Sequence, residues 1–291
     1  MQEDDLRPSD NVEDRRGSGF AVRGGGLGIG AIAVLSLLGW ALGINPAVLI
    51  NGAQIVAGGD NAPTSQSDAG RTGTPADQIG NFVARVLGET EDVWSEVLPQ
   101  QANRQYEKPI LVLFSGATRS GCGTAQSAVG PFYCPLDRKL YLDTSFFEDM
   151  QRRFGGGGDF AYAYVISHEV GHHVQNLIGL LPKVQQAEQN APDRAAANAM
   201  SVRIELMADC FAGLWANKMN LRHRNIDESD VRDAVRAASA IGDDRLEKQA
   251  QGYAVPDSFT HGTSEQRVRW LTTGLKSGSM KACDTFQAQT L

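Results

Sequence analysis

The most constraining feature of this 291-residue chain is a short histidine-rich pattern, His168-Glu169-Val170-Gly171-His172. On an α-helix, residues four apart lie on one face, so both imidazoles can reach one metal ion. Glu169 lies about 100° round such a helix, close enough to meet a water molecule at the metal without being a ligand. The pattern is typical of zinc hydrolases in which the glutamate is the general base. It requires a helix around it and a third ligand.

The residues around this pattern meet the first requirement. From Asp159, apolar side chains recur mostly three or four positions apart, which predicts a helix that ends near Gly179 and Pro182. An alanine-rich stretch, residues 192–217, predicts a second helix. Other helical patterns begin at Thr74-Pro75, at Thr144, at residue 228, and at Thr263 or Ser264.

The second predicted helix contains a candidate third ligand. Glu205 and Asp209 are four residues apart and share one helix face. The alternative is that these two acids lie on a solvent-exposed helix face. The neighbouring side chains are mostly apolar, however, which predicts that the pair is at least partly buried. Glu205 would complete a zinc site of two histidines and one glutamate, with one position left for water. Asp209 would hold the free ring nitrogen of a ligand histidine.

Two short stretches predict a small sheet. Residues 109–114 (PILVLF) are apolar and rich in β-formers, which predicts a strand. Residues 139–143 (KLYLD) alternate polar and apolar side chains, which predicts an exposed or edge strand. In zinc peptidases such a strand commonly pairs with the substrate backbone. The glycine-rich residues 115–137 predict an irregular stretch, so we expect a mainly helical α+β domain over residues 77–291.

An uncharged apolar segment lies near the N-terminus. Residues 27–44 (LGIGAIAVLSLLGWALGI) would span about 27 Å as a helix, close to the thickness of a hydrocarbon core. We predict a transmembrane signal anchor over residues 24–50. Four arginines precede it, at positions 7, 15, 16 and 23, and the next arginine is at 71. This asymmetry predicts a cytoplasmic N-terminus and an extracytoplasmic catalytic domain, on the periplasmic or cell-surface side. A cleaved signal peptide and a buried core helix are the alternatives.

The segments on either side of the predicted anchor are polar. Residues 1–23 predict a disordered cytoplasmic tail, because their composition cannot bury a core. Residues 51–76 are rich in small and polar side chains and predict a flexible linker. A net charge of -7, without a Lys/Arg-rich tract, argues against nucleic acid as a partner. Nothing in the sequence indicates an oligomeric state.

The chain has four cysteines, and an extracytoplasmic location would permit two disulfides. Spacing alone cannot fix the pairing. We predict that Cys122 pairs with Cys134 and stiffens the loop between them. A metal site is the alternative, but this spacing matches no common zinc module. By elimination Cys210 pairs with Cys283, unless Cys210 is a buried thiol.

Three further histidines and one arginine lie in segments near the predicted site or after it. His261 could donate a hydrogen bond to the oxyanion that forms on the substrate carbonyl, or it is a structural histidine that bonds the backbone of its loop. Arg267 pairs either with an acid near the site or with a surface carboxylate. His173 lies about 100° round the helix from the second ligand and is expected to point away from the metal. His223, in a polar turn, is expected to be exposed.

Several segments match a known family. They are Asn11–Arg16, Gly121–Gly123, Gly130–Pro135, Tyr141–Asp143, His168–His173, Glu205–Leu206, Ala208–Gly213, Ile241–Asp244 and Pro256–Gly262. On these residues the chain resembles the bacterial membrane-anchored neutral zinc metallopeptidases. The resemblance covers nearly the whole chain apart from the linker. It implies a zincin-like fold and a zinc-dependent peptidase with ligands at His168, His172 and Glu205 and a catalytic Glu169.

The C-terminal part is also similar to integral-membrane gluzincin peptidases. The matching residues are Thr260, His261 and Arg267. In those peptidases the histidine lies near the metal, which implies the same for His261. A proline follows the histidine there, whereas Gly262 follows it here.

The expected function is that of a zinc metalloendopeptidase anchored in the cell membrane by one transmembrane helix. Its substrate would be a protein or peptide, and Glu169 would take a proton from the attacking, zinc-activated water. The alternative is a zinc-stabilised extracytoplasmic binding or chaperone module with little or no turnover. The presence of Glu169 beside a complete set of ligands favours the enzyme.

Overall fold

The structure is a computed structural model that describes residues 5–17, 70–126, 130–154, 158–224 and 226–291. Within these residues helices predominate, and the strands form one five-stranded sheet and one two-stranded hairpin. The prediction of a mainly helical α+β domain with a small sheet is confirmed. The elements are β1 Val12–Asp14, β2 Arg71–Thr72, α1 Gln78–Ala102, β3 Ile110–Phe114, β4 Ala117–Ser120, β5 Gly123–Gln126, β6 Phe132–Cys134, β7 Lys139–Asp143, α2 Ser145–Phe154, α3 Asp159–Leu177, α4 Leu180–Gln189, α5 Arg194–His223, α6 Glu228–Ala240, α7 Asp243–Gln251 and α8 Ser264–Ser277, with short 3-10 turns at Pro256–Ser258 and Met280–Cys283.

Capping side chains set where two of the helices begin. The Asp77 carboxylate accepts a hydrogen bond from the backbone N–H of Gly80 at 3.0 Å, so α1 begins after Asp77 and not at the predicted Thr74-Pro75. The Thr263 hydroxyl accepts from the N–H of Gln266 at 3.1 Å, as predicted for the last helix. Each cap satisfies a backbone donor that has no partner within the first turn.

The five-stranded sheet has the order β2-β1-β3-β7-β6. The three inner strands are parallel, and both outer strands are antiparallel to their neighbours. Strands β2 and β6 therefore form the two edges. Four strand spacings separate them, which amounts to about 19 Å.

The prediction that residues 139–143 form an exposed or edge strand is wrong, because β7 lies between β3 and β6. Leu140 and Leu142 pack into the main core, while Tyr141 packs with Phe114 in a smaller cluster on the other face. The alternation in this strand reflects two covered faces. Residues 115–137 are also more regular than predicted, since they contain β4, β5 and β6.

Residues 5–17 belong to the folded domain. The prediction of a disordered tail over residues 1–23 is therefore wrong for this part. Strand β1 lies inside the sheet, between β2 and β3. Leu6 and Val12 are 1% and 0% exposed, so this short segment contributes two side chains to the main core.

The predicted anchor over residues 24–50 lies outside the described residues. Most of the predicted linker, residues 51–76, also lies outside them, but residues 71–72 form β2 and pair with β1. In the described part of the chain, no helix is long and apolar enough to cross a membrane.

Helix α5 lies at the centre of the helical part and packs against both α3 and α8. Glycines allow the close approach of α8. A Cβ atom added to Gly274 would overlap the carbonyl oxygen of Cys210, and one added to Gly213 would overlap that of Leu271. The backbones of α5 and α8 are therefore in direct contact, which fixes α8 beside the predicted ligand helices.

Candidate metal centre

Helices α3 and α5 approach closely where two small residues meet. A Cβ atom added to Gly171 would lie 3.1 Å from both the Cα atom and the carbonyl oxygen of Ala208, tighter than ordinary van der Waals contact. The absence of a side chain at Gly171 thus lets the helices pack backbone to backbone. This contact brings Glu205 on α5 opposite His168 and His172 on α3.

The three predicted ligands lie together. The Glu205 carboxylate oxygens lie 3.2 Å from His168 Nε2 and 3.4 Å from His172 Nε2, and the two Nε2 atoms are 3.2 Å apart. Three atoms bound tetrahedrally to one zinc ion at about 2.0–2.1 Å would be separated by roughly 3.3 Å. The donor set therefore fits zinc in both chemistry and spacing. Within the described ranges, no other cluster of His, Cys, Asp or Glu is placed to hold a metal.

The second ring nitrogen of each histidine lies against an acceptor. His168 Nδ1 is 2.8 Å from Asp209 Oδ1, and His172 Nδ1 is 3.0 Å from Gln175 Oε1. Gln175 is itself held by its amide, which donates to the carbonyl oxygen of Ile204 at 2.7 Å. When Nδ1 donates in this way, Nε2 presents its lone pair to a metal. Gln175 was not predicted, although its position three residues after His172 puts both on one helix face.

Asp209 joins the histidine to a buried arginine and a tyrosine. Arg267 donates from Nε to Oδ2 and from Nη2 to Oδ1, both at 2.9 Å, and the Tyr164 hydroxyl donates to Oδ1 at 2.6 Å. Burial raises the pKa of Asp209, but Arg267 and His168 more than offset this and lower it to about 2. The carboxylate is therefore ionised. Arg267 therefore pairs with an acid near the site and not with a surface carboxylate.

Glu169 lies on the wall of the cavity in front of the ligands. Burial raises the pKa of its carboxyl group, His168 and His172 lower it, and the net shift is upward. Among the described residues, no hydrogen bond or ion pair engages this carboxylate. It is therefore available to a water molecule in the cavity.

Asp243 organises the loop that carries His261. Its Oδ2 atom accepts hydrogen bonds at 2.6–3.1 Å from three consecutive backbone N–H groups, those of Thr260, His261 and Gly262. Its Oδ1 atom lies 3.3 Å from His261 Nδ1. The His261 side chain is half exposed and lines the cavity of the ligands. Asp243 was not predicted to have a role, although it lies in a segment that carried the family resemblance.

Burial lowers the pKa of His261, but Glu205 and Asp243 more than offset this effect and raise it. The cationic form of His261, which donates from both ring nitrogens, is therefore favoured beside the cavity. This arrangement permits the predicted role as a hydrogen-bond donor.

Two histidines lie away from the three ligands. His173 points away from them, as predicted: Nδ1 is 3.1 Å from the Tyr133 hydroxyl and Nε2 is 2.6 Å from the carbonyl oxygen of Glu107. The expectation that His223 is simply exposed is wrong. Its Nε2 atom lies 3.0 Å from the buried carboxylate of Glu89, which joins the end of α5 to α1.

The ligands face an open cavity of about 490 Å³. Edge strand β6 forms part of its wall through Phe132 and Tyr133. A second cavity, of about 580 Å³, adjoins the first, and Pro135 and Gln185 line both. Apolar side chains of the first cavity include Phe146, Val165, Leu181, Ile204, Ile241 and Leu246. The cleft is therefore long, and much of its wall is apolar.

Both predicted disulfides are present. Cys122 is bonded to Cys134, and Cys210 is bonded to Cys283. This pairing excludes a metal site at the first two cysteines and a free thiol at Cys210. The first bond holds the loop of the β4–β5 hairpin to edge strand β6, and the second holds α5 to the C-terminal 3-10 turn.

Comparisons with known proteins bear on the family of this chain. The chain matches the family described as "Putative neutral zinc metallopeptidase" over residues 1–286. It is 44% identical over 290 residues to the "Uncharacterized protein YpfJ" of Escherichia coli, with 96% of each chain covered. It is 39% identical over 261 residues to the "Uncharacterized protein Rv2575" of Mycobacterium tuberculosis, with 86% of this chain and 85% of the relative covered. No solved structure matches significantly. The chain thus belongs to the family of neutral zinc metallopeptidases, as the resemblance in its sequence implied.

Proposed function

We propose that this protein is a membrane-anchored zinc endopeptidase in which His168, His172 and Glu205 bind the metal. The observation that carries the proposal is the orientation of the two histidines. Each Nδ1 atom lies at hydrogen-bond distance from a side-chain oxygen, and the two Nε2 atoms lie 3.2 Å apart beside a carboxylate. Two imidazoles that present lone pairs to one point would repel each other unless a cation lies between them.

Zinc at this position would supply Lewis-acid chemistry, which makes water more acidic and stabilises negative charge on oxygen. Glu169 would take the proton from the attacking water and pass it to the nitrogen of the departing amine. Burial and the nearby Glu205 raise the pKa of Glu169, which makes its carboxylate a stronger base than an exposed glutamate. The absence of a protein partner in the described residues leaves this carboxylate free to move the proton.

His261 would donate a hydrogen bond to the oxygen of the scissile carbonyl as charge develops there. It lines the same cavity as the three proposed ligands. It lies on a separate loop, which precedes α8. Asp243 would act through His261, because it fixes the loop through three N–H groups and favours the cationic imidazole.

The cleft supports a polypeptide as the substrate. Edge strand β6 has one unpaired side in the described sheet, and it borders the cavity of the ligands. An extended peptide could pair with this strand through its backbone, which gives affinity with little sequence preference. The role that the sequence suggested for residues 139–143 is therefore assigned to β6, residues 132–134. The open, elongated cleft favours cleavage within a chain over removal of a terminal residue.

We also propose that the catalytic domain lies outside the cytoplasm. Two disulfides support this location, because disulfides are rare in cytosolic proteins. The apolar residues 27–44 would anchor the domain to the cell membrane.

The alternative function is a zinc-stabilised binding or chaperone module with little turnover. It would use the same cleft and the same metal, but it would not need a carboxylate beside the ligands. A free, partly buried Glu169 at the cavity favours the enzyme, because a buried carboxylate without a protein partner costs stability.

Removal and return of the metal tests the proposal. The full-length protein in detergent is assayed for hydrolysis of an unfolded protein substrate, then treated with a chelator and reconstituted with zinc. We expect one zinc ion per chain, loss of hydrolysis on removal and recovery on return. A protein that retains one zinc but cleaves no member of a broad substrate panel would support the binding module.

The Glu205→Gln variant tests the third ligand. The amide keeps the size of the side chain but loses its charge, so zinc affinity should fall sharply. Glu228→Gln, the same substitution at an exposed position on α6, is the matched control and should bind zinc as the wild type does. Undiminished zinc affinity in Glu205→Gln would exclude Glu205 as a ligand.

A further inference from the structure

Strand β1 is an integral part of the sheet. Its residues pair with β2 on one side, where Glu13 faces Thr72, and with β3 on the other, where Glu13 faces Val112. The hydrogen bonds continue beyond the strand ends: the Leu111 N–H donates to the carbonyl oxygen of Asn11 at 2.9 Å. Backbone pairing on both sides means that β1 and its neighbours occupy one compartment.

Side chains of the same N-terminal segment are also bound to the domain. The Asn11 amide donates to the buried Glu91 carboxylate on α1 at 2.7 Å, and the same carboxylate lies 2.9 Å from Arg7 Nη2. Arg16 Nη1 donates to Asp77, the cap of α1, at 3.0 Å. The Ser9 hydroxyl also donates to Glu91, so removal of the segment would leave this buried carboxylate without three of its donors.

These contacts change what Arg7, Arg15 and Arg16 indicate about the orientation of the chain across the membrane. Arg7 and Arg16 form ion pairs with acids of the catalytic domain, and Arg15 pairs with Glu13 in β1. Their positive charge suggested a cytoplasmic N-terminus. In the structure these three arginines belong to a segment that is paired with strands of the domain, so they do not place the N-terminus on the opposite side of the membrane from it.

The described chain leaves the domain at Gly17 and returns at Gly70, next to paired strands β1 and β2. Between them, residues 24–59 carry no charged side chain. A single crossing of a bilayer by this stretch would place β1 and β2 on opposite sides of a hydrocarbon core about 30 Å thick. Backbone hydrogen bonds cannot form across that distance.

We infer that residues 5–17 lie on the same side of the membrane as residues 70–291, and that the domain meets the bilayer through the β2 edge of its sheet. Strand β6 and the cleft lie at the opposite edge of the sheet, about 19 Å away. This inference rests on the proposed membrane anchoring but not on catalysis.

Single cysteines report the side of the membrane directly. The native cysteines are all in disulfides within the described chain, so a maleimide would label only an added thiol. Asp5→Cys probes the N-terminal segment, and Leu221→Cys probes the catalytic domain at an exposed position on α5. Each variant is treated with a membrane-impermeant maleimide in intact spheroplasts and again after lysis.

The inference predicts that both positions label to the same extent in intact spheroplasts. Labelling of one position in intact cells and of the other only after lysis would overturn it. Hydrolysis of a protein substrate is measured separately on each variant, so that loss of the proposed function is distinguished from a wrong topology.

A lipid quencher tests which edge meets the bilayer. A fluorescent probe is attached at Thr72→Cys, on β2, or at Leu136→Cys, in the loop after β6, and the protein is reconstituted into vesicles of neutral and anionic phospholipid. Spin-labelled lipid should quench the probe at residue 72 several-fold more than the probe at residue 136. Equal quenching, stronger quenching at residue 136, or quenching at neither position would overturn the proposed membrane-facing edge.

Discussion

Arg267 on α8 and Asp209 on α5 form a two-point ion pair in which both N–O distances are 2.9 Å. Their side chains are 4% and 0% exposed, so water does not screen the pair. The same carboxylate holds His168 Nδ1 at 2.8 Å. Helix α8 contributes no candidate ligand, yet through this pair it fixes the orientation of one.

Replacement of Asp209 should weaken metal binding without removing a ligand. In Asp209→Asn the side chain keeps its size but loses its charge, and His168 is held less firmly. We expect zinc affinity to fall by about 10–100-fold, as measured by competition with a chromophoric chelator. The unpaired, buried Arg267 should also cost about 3–5 kcal/mol of unfolding free energy in the metal-free protein.

Asp193→Asn is the matched control, because it is the same substitution on the same helix. Asp193 caps α5 by accepting from the N–H of Ala196, and asparagine is an equally good cap. Zinc affinity and stability should therefore be unchanged. If Asp209→Asn binds zinc as tightly as this control, the carboxylate does not orient the ligand.

His261 and Asp243 should act as one unit. Replacement of His261 by Gln removes a cationic donor, and we expect kcat to fall by about 10²-fold with zinc content unchanged. Asp243→Asn should produce a smaller loss, because His261 remains but its loop is held less well. In the double variant the losses should not multiply, because Asp243 acts through His261. Multiplicative losses would mean that the two residues contribute independently.

The grouping of the candidate ligands could be predicted because helical spacing links sequence directly to geometry. Residues four apart lie on one helix face, and this spacing alone predicts that His168 lies beside His172 and Glu205 beside Asp209. The contacts of Asp243 depend on long-range packing, and so does the hydrogen bond to Ile204 that holds the Gln175 amide beside His172. Asp243 is eighteen residues from His261, and its three backbone donors become visible only when α7 and the loop before α8 meet.

The two disulfides should differ in their contribution to stability. Cys210 and Cys283 are 73 residues apart, and Cys122 and Cys134 are 12 apart. By loop entropy alone, loss of the longer loop should cost about 4 kcal/mol and loss of the shorter about 3 kcal/mol. Both cysteines of one disulfide are replaced by alanine in each variant, and the free energies of unfolding are compared by denaturant titration. A larger loss for the Cys122–Cys134 pair would show that strain or residual structure outweighs loop length.

The contact between α5 and α8 should not tolerate a methyl group at Gly274. The added carbon would overlap the carbonyl oxygen of Cys210, so the helices must separate. We expect Gly274→Ala to lower the unfolding free energy by about 1–3 kcal/mol despite the better helix propensity of alanine. Lys276→Ala, exposed on the same helix, should change it by less than about 0.5 kcal/mol. Equal stability of the two variants would mean that the helices adjust without cost.

The sheet was harder to predict than the helices. The sequence of β7 predicts an edge strand, because its alternation of polar and apolar residues is the same whether water or protein covers the second face. The place of β1 could not be read from its composition, because the acids and arginines of residues 5–17 find their partners on α1 and β7, far along the chain. Short polar strands that depend on distant partners carry little local signal.

The most direct test of the central claim is the Glu169→Gln variant, assayed for both zinc content and peptide hydrolysis. Glutamine keeps the size of the side chain but cannot take a proton. If Glu169 is the general base at a zinc site formed by His168, His172 and Glu205, the variant should keep one zinc ion per chain and lose about 10²–10⁴-fold in kcat. Full hydrolytic activity in a zinc-loaded Glu169→Gln protein would contradict the account.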